Sequence, residues 1–364
     1  MAPATAKSRT KPVKQKMAVS FKSLMSSVLG RGADGGPTPI LELFPKTDPA
    51  VDGDECLHDC EGCSVKYPRN FKVETEDDLY GHVKEWATHA IVATSKSDWV
   101  RDSADEKGSV MQAIDNAPHK PSNGKMKLSA SNMPTPNDTT DYSEPTTVLL
   151  LPAFVLVRNV QPANVSQLIT DVVSKSPTNT SPMAPFALPA SVPSAAPGTI
   201  PDLVTADCPH SAVILLCSQK TRDARCGQSA PLLRKEFERH LRPLGLARDL
   251  HDERPGGVGI YFIDHVGGHK YSANVMIYRR ANAFGHDQLP EKAAGNETQG
   301  NGEATPTTTT PTPDMGAAQC MWLARVRPED CENIVRYTIL KGRLVKPESQ
   351  LRGGFDRCKG LMSW

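Results

Sequence analysis

The sequence predicts an α/β protein built from two small, similar domains in tandem. Three observations carry that expectation. Apolar strands alternate with helical stretches. One phrase occurs twice, Leu156-Val-Arg-Asn-Val-Gln-Pro162 and Trp322-Leu-Ala-Arg-Val-Arg-Pro328, each time passing from a strand through proline into a helix. Polar, proline-rich stretches separate the apolar blocks. With 364 residues, 26 Gly, 31 Pro and only 5% aromatics, the chain reads as folded blocks and not one dense core.

In chain order, residues 1–17 form a basic tail. Six basic residues (Lys7, Arg9, Lys11, Lys14, Lys16 and Lys22) and no acid precede Gly30. Phe21, Leu24, Met25, Val28 and Leu29 make an amphipathic stripe, either the first helix of a domain or part of a mitochondrial presequence with the matrix as its address. The first domain, 18–174, holds a strand at His89–Lys96 and another at Thr147–Arg158, then a helix at Ala163–Val173. Within it, 118–147 is rich in Ser, Asn, Asp, Pro and Thr and is expected to be a disordered insertion. A Ser/Pro/Ala linker follows at 175–206. The second domain, 207–346, repeats the plan. It has a strand at Ser211–Lys220, a helix at Pro231–Leu241, strands at Gly259–Ile263, Ala273–Tyr278 and Met321–Val326, and a helix at Glu329–Leu340. A threonine-rich insertion at 283–316 interrupts it, and 347–364 form a C-terminal tail.

Charge narrows the function classes. With 42 basic and 41 acidic residues the net charge is +1, which gives no drive toward nucleic acid. The longest apolar run, Val148–Val157, contains Pro152 and is half of what a membrane span needs. Nine cysteines, an odd number at scattered spacing, argue against a disulfide scaffold and for a reducing compartment.

The sharpest constellation is Cys217-x8-Cys226 with His265-x3-His269, all at or just beyond strand ends. Two thiolates and two imidazoles make a full ligand set for zinc or an iron–sulfur cluster. Gly267 and Gly268 between the histidines argue for a loop wrapped around something bulky, because each would cost a helix about 1 kcal/mol. Structural zinc sites commonly space their thiols two to four residues apart, so the gap of eight leans toward a cluster. A second group, Cys56-x3-Cys60-x2-Cys63, has the thiol spacing of radical S-adenosylmethionine enzymes, but the run of strand–helix units such an enzyme needs is missing. It reads as reduced thiols packed on the first domain, or as a zinc site with His58. Cys208, Cys320, Cys331 and Cys358 read as structural.

Cys217-x8-Cys226, His265-Val-Gly-Gly-His269-Lys270 and Asn274-Val-Met-Ile-Tyr278 together resemble the sucrase/ferredoxin-like family. So do Trp86-x2-His89-x4-Thr94-x-Lys96-Ser-Asp-Trp99, Arg325-Val-x-Pro328-Glu-Asp330 and Lys341-Gly-Arg343. Ser95, where a glycine is expected, and the threonine-rich insertion are departures. The resemblance implies tandem thioredoxin-like domains, the second holding a [2Fe–2S] cluster through Cys217, Cys226, His265 and His269. The leading reading is a cytoplasmic electron carrier with an unidentified redox partner, proton-coupled because its imidazoles can titrate. The alternative is a zinc-stabilised interaction protein using the same four ligands without a redox role. No catalytic residues are assigned, and no glycosidase carboxylate pair is recognisable. Finally, Met362-Ser363-Trp364 is expected to be an exposed tail. It resembles the terminal signal by which client proteins dock on the cytosolic iron–sulfur assembly targeting complex.

Overall fold

A computed structural model describes residues 37–195, 197–287 and 314–364. The basic tail, the amphipathic stripe and most of the threonine-rich insertion lie outside the described residues. The first half contributes strands β1 (Thr88–Ala93), β2 (Met126–Ser131), β3 (Thr146–Leu151), β4 (Val155–Val160), β5 (Ser191–Val192) and β6 (Leu203–Asp207). The second contributes β7 (Ala212–Cys217), β8 (Ala247–Arg248), β9 (Val258–Ile263), β10 (Val275–Arg280), β11 (Ala317–Leu323), β12 (Leu351–Asp356) and β13 (Leu361–Met362). They join in one sheet ordered β13-β12-β11-β10-β7-β9-β2-β1-β3-β4-β6-β5, with β8 beside β9.

The α/β expectation and the internal repeat are visible in the pairing. In the first half β1 leads through the Val110–Asp115 helix to β2, parallel to it, and then to the antiparallel β3 and β4. In the second, β7 leads through the Ala224–Leu241 helix to the parallel β9, then to the antiparallel β10 and β11. In each half a helical stretch follows, 162–175 or 328–339, opened by Pro162 or Pro328 and containing a π-helical segment, Leu168–Val172 or Ile334–Ile339.

Alternation along the strands sets the layers. Ala90, Val92, Val148 and Leu150 pack against the first half's own helices; Ile214, Leu216, Val275 and Ile277 pack against those of the second. The intervening residues Ile91, Ala93, Leu149 and Leu151 join Val213, Leu215, Cys217, Met276 and Tyr278 in one shared core. The two half-sheets therefore face each other, each backed by its own helices. Burial on both faces explains why these strands read as continuous apolar runs. The seam between the halves is one ladder pair, Ser131 with Ile263, flanked by Asn132 N–H to Phe262 O at 3.1 Å and Asp264 N–H to Ala130 O at 3.0 Å.

Four differences from expectation have physical causes. Thr147–Arg158 is two strands, β3 and β4, folded back on each other across Pro152. The stretch 118–147 contains β2, polar by composition, yet placed between β1 and β9 at the centre of the sheet. The supposed linker supplies β5 and β6, which extend the sheet beyond β4. The supposed C-terminal tail supplies β12, buried along its length, where Gly354 is required because an added Cβ would stand 1.9 Å from Cys320 O. The N-terminal part of the first domain also crosses over: Leu43 and Phe44 lie in the second half's core, and Thr47 N–H bonds to Leu344 O at 2.9 Å.

Candidate metal centre

Cys217 is the last residue of β7, and the alternation of that strand turns its side chain into the shared core between the half-sheets. Cys226 is not at a strand end. The helix begins at Ala224, seven residues before the expected start, with Asp223 capping it by accepting the Arg225 N–H at 2.9 Å. Cys226 thus stands in the first turn, where unpaired N–H groups and the helix dipole favour a thiolate. Both thiols are buried, at 1% and 0% exposure. They form a coupled pair. Contact with the Cys217 thiol, then His265 and the Ser272 hydroxyl, brings Cys226 down to about 5 against the opposing effect of burial; Cys217 is held above its usual range.

The histidines come from the loop after β9. His265 Nδ1 lies 3.8 Å from Cys217 Sγ, and His265 Nε2 lies 3.4 Å from His269 Nδ1. The donor atoms of Cys217, Cys226 and His265 are all within 4.8 Å of one another, and His269 joins them through His265. All four expected ligands are therefore neighbours. The imidazoles are half-buried, while the thiols are closed off. Gly267 and Gly268 have φ of +88° and +71°, and a Cβ on Gly268 would meet Arg352 Nη2 at 2.7 Å. The glycines thus let the loop turn tightly over a guanidinium.

Sequence reasoning missed the residues that support the loop. Arg352 of β12 donates to Gly267 O at 2.9 Å and to Asn274 Oδ1 at 2.8 Å, and stacks over Trp322 at 4.5 Å. Gln219, two residues after Cys217, accepts the His265 N–H at 3.0 Å and donates to Val100 O at 2.5 Å, tying the ligand loop to the first half. Ser218 Oγ donates to Ser97 O at 3.1 Å. Lys127 also lies over Trp322, 4.9 Å from its ring, with its ammonium brought down to about 8 by desolvation. Asp264 is buried, its carboxyl pushed up to about 6 by burial despite a bond from Ser103 Oγ. Only Gln219 had a signal, its place beside Cys217. Arg352 lay in a segment read as tail.

The C-terminal tripeptide is packed, not free. Ser363 Oγ accepts the Gly354 N–H at 2.9 Å, β13 pairs with β12, and the Trp364 ring lies 4.3 Å from Trp86. The thiols at Cys56, Cys60 and Cys63 also differ from expectation, because their segment packs on the second half. Tyr67 Oη donates to Val326 O at 2.8 Å, and Asn333 Nδ2 donates to His58 O at 2.8 Å.

Fold and site together define a duplicated α/β protein with a Cys/His group able to hold a metal in one of its two copies. The sucrase/ferredoxin-like family matches residues 79–353, and the chain belongs to that family. It is 32% identical over 253 residues to Actin patches distal protein 1 of Saccharomyces cerevisiae, covering 65% of this chain and 75% of the relative. It is also 31% identical over 137 residues to Altered inheritance of mitochondria protein 32 of Clavispora lusitaniae, covering 38% of this chain and 33% of that protein. The protein of the same name from Debaryomyces hansenii is 27% identical over 134 residues, 37% of this chain and 33% of its own length. No solved structure matches the chain.

Proposed function

We propose that this protein is a cytoplasmic electron carrier holding one [2Fe–2S] cluster through Cys217, Cys226, His265 and His269. The observation that carries the reading is the convergence of two buried thiols and two half-buried imidazoles in a member of the sucrase/ferredoxin-like family. The donor chemistry fits, since thiolates and imidazoles both serve as iron–sulfur ligands. Each half is read as a thioredoxin-like unit, supported by the repeated spatial orders β2-β1-β3-β4 and β9-β7-β10-β11. A bound cluster would supply reversible uptake of one electron. The chain's own residues divide the remaining work. The first helical turn favours the Cys226 thiolate. Arg352 and Lys127 place positive charge about the thiols, which stabilises added negative charge. The imidazoles are partly exposed, so electron uptake by a bound cluster would be coupled to proton uptake through them.

The name of the Saccharomyces relative refers to actin patches, which supports the cytoplasmic address. Met362, Ser363 and Trp364 are proposed to dock on the cytosolic iron–sulfur assembly targeting complex. The two-residue strand β13, which ends at Met362, would have to peel from β12 to do so, as short terminal elements readily do. A second reading, a zinc-stabilised interaction protein, draws on the compactness of the donors, whose 3.8 Å and 3.4 Å separations also suit a single ion. Visible absorption with iron, sulfide and zinc analysis of freshly purified protein separates the two. A coloured protein with about two irons per chain supports the cluster. A colourless protein whose zinc disappears in Cys217→Ser overturns it.

A further inference from the structure

A second group of donors lies far from the first in sequence and on different elements. Cys60 belongs to the N-terminal segment, His240 to the last turn of the Ala224–Leu241 helix, and Glu332 to the start of the 328–339 stretch. Their donor atoms are all within 4.8 Å of one another, and Cys60 Sγ lies 4.0 Å from His240 Nε2. Zinc bonds of about 2.1–2.3 Å put tetrahedral donors roughly 3.5 Å apart, so a small contraction brings the group to coordination distance. Cys63 follows Cys60 at the two-residue spacing of a zinc knuckle, its thiol bonded to Cys60 O at 3.4 Å. The backbone already fixes the position of Cys60, whose N–H donates to Glu329 O at 3.0 Å.

What stands between these donors is a cation. Arg239 Nη2 lies 3.3 Å from Cys60 Sγ and 2.9 Å from His240 Nε2. The sulfur and the ring nitrogen thus converge on a positive group, with Glu332 close to both. Arg239 is 37% exposed in its side chain and also pairs with Glu236 at 2.8 Å, so its end can swing to water without leaving a buried charge unpaired. Arg336 pairs with Glu332 at 2.7 Å. With two thiolates, one carboxylate and a neutral imidazole, a divalent ion leaves one negative charge, which Arg336 offsets.

We propose that Cys60, Cys63, His240 and Glu332 form a second metal site, taking one zinc ion in place of the Arg239 guanidinium. The mixed sulfur, nitrogen and oxygen donors suit zinc, and a full set of four protein ligands makes its role structural. The ion staples the N-terminal segment to both helical elements of the second half. Cys56, which is buried, and His58, which is exposed, are not ligands.

The test is zinc and iron analysis of the same full-length preparations after incubation with one equivalent of zinc chloride and gel filtration. Wild-type protein is expected to retain about one zinc per chain. Cys60→Ser and His240→Gln are expected to lose it while keeping their iron and visible spectrum. Arg239→Ala is expected to retain zinc at least as well, because the competing cation is gone. Zinc is also expected to shield Cys60 and Cys63 from alkylation in wild-type protein, a readout that does not depend on any variant folding. Absence of zinc from both wild type and Arg239→Ala would show that the guanidinium already completes the group, and would overturn the proposal. Zinc retained in Cys60→Ser but lost in Cys217→Ser would place the ion at the first centre, overturning this proposal and the cluster reading together. Iron absent with zinc at Cys60 intact would overturn the cluster reading alone.

Discussion

His210 sits in the connection between β6 and β7, where the chain passes from one half to the other, and its ring is 3% exposed. Nε2 is 2.8 Å from Tyr261 Oη, while Nδ1 is buried without a hydrogen-bond partner among the described residues. A neutral imidazole tolerates this, since Nδ1 then carries only a lone pair; a protonated one would bury an unpaired N–H. Burial, then the Arg248 cation, brings the imidazole down to about 4; Arg280 adds to this and Asp252 opposes it. An unfolded histidine titrates near 6.5, so below that pH the unfolded chain binds a proton that the folded chain refuses. The stability His210 contributes is whole above pH 6.5 and is lost as pH falls toward 4. Some 2.5 pH units at about 1.4 kcal/mol each come to about 3.5 kcal/mol in full, of which about 3 kcal/mol is lost by pH 4, where the folded imidazole is half protonated. Urea unfolding of wild type and His210→Gln between pH 7 and pH 4 measures it. Glutamine can still bond to Tyr261 but does not titrate. Taking the difference between the two proteins cancels contributions common to both, including buried His89 and Asp264. The wild-type advantage over His210→Gln is expected to shrink by about 3 kcal/mol across the range. A gap constant to within about 0.5 kcal/mol would refute the assignment of His210 as a buried neutral base.

At the metal centre, Cys217→Ser and Cys226→Ser should each abolish metal binding and lower the unfolding midpoint, because a neutral hydroxyl replaces a thiolate ligand; full iron and colour in both variants would refute the ligand set. If the imidazoles bind the reducible iron, voltammetry should show the potential falling by about 59 mV per pH unit for each proton taken up with the electron. His269→Cys should lower the potential and flatten that slope, and a potential constant from about pH 6 to 10 would exclude exposed histidine ligation. Trp364→Ala should cost about 1–2 kcal/mol in urea unfolding, because its ring leaves Trp86. The same change should lower iron content in cells but not reconstitution of the purified protein. Equal cellular iron in Trp364→Ala and wild type would refute the docking role.

The parts legible in the sequence were those whose own composition carries the signal. The strands within His89–Lys96 and Ser211–Lys220 are apolar because both their faces are covered, and the repeated phrase stands out by the proline that opens each helix. β2 was not legible: Met126-Lys-Leu-Ser-Ala-Ser131 alternates weakly, and its place between β1 and β9 depends on partners distant in the chain. β12 was hidden in the stretch 347–364, read as a tail; its Gly353 and Gly354 are there because other backbone and side-chain atoms approach closely. The four ligands could be read from residue type and spacing, yet the helix around Cys226 could not, since Pro231 seemed to start it and instead lies inside it. Cys60 could be singled out, but its neighbours His240 and Glu332 are 180 and 272 positions away, and no local pattern links them.

The shared core between the half-sheets has a consequence for how the chain can be divided. A cut in 175–206 follows the boundary of the repeat, but it does not yield two self-sufficient pieces. Each fragment would present an oily wall: Trp86, Ile91 and Leu149 on one, Val213, Met276 and Trp322 on the other. The second fragment would also lack Leu43 and Phe44 from its interior. Expressed alone, the fragments should aggregate; expressed together, they should find each other, as the parts of a split reporter do. The polypeptide is a duplication in plan and a single piece in its thermodynamics.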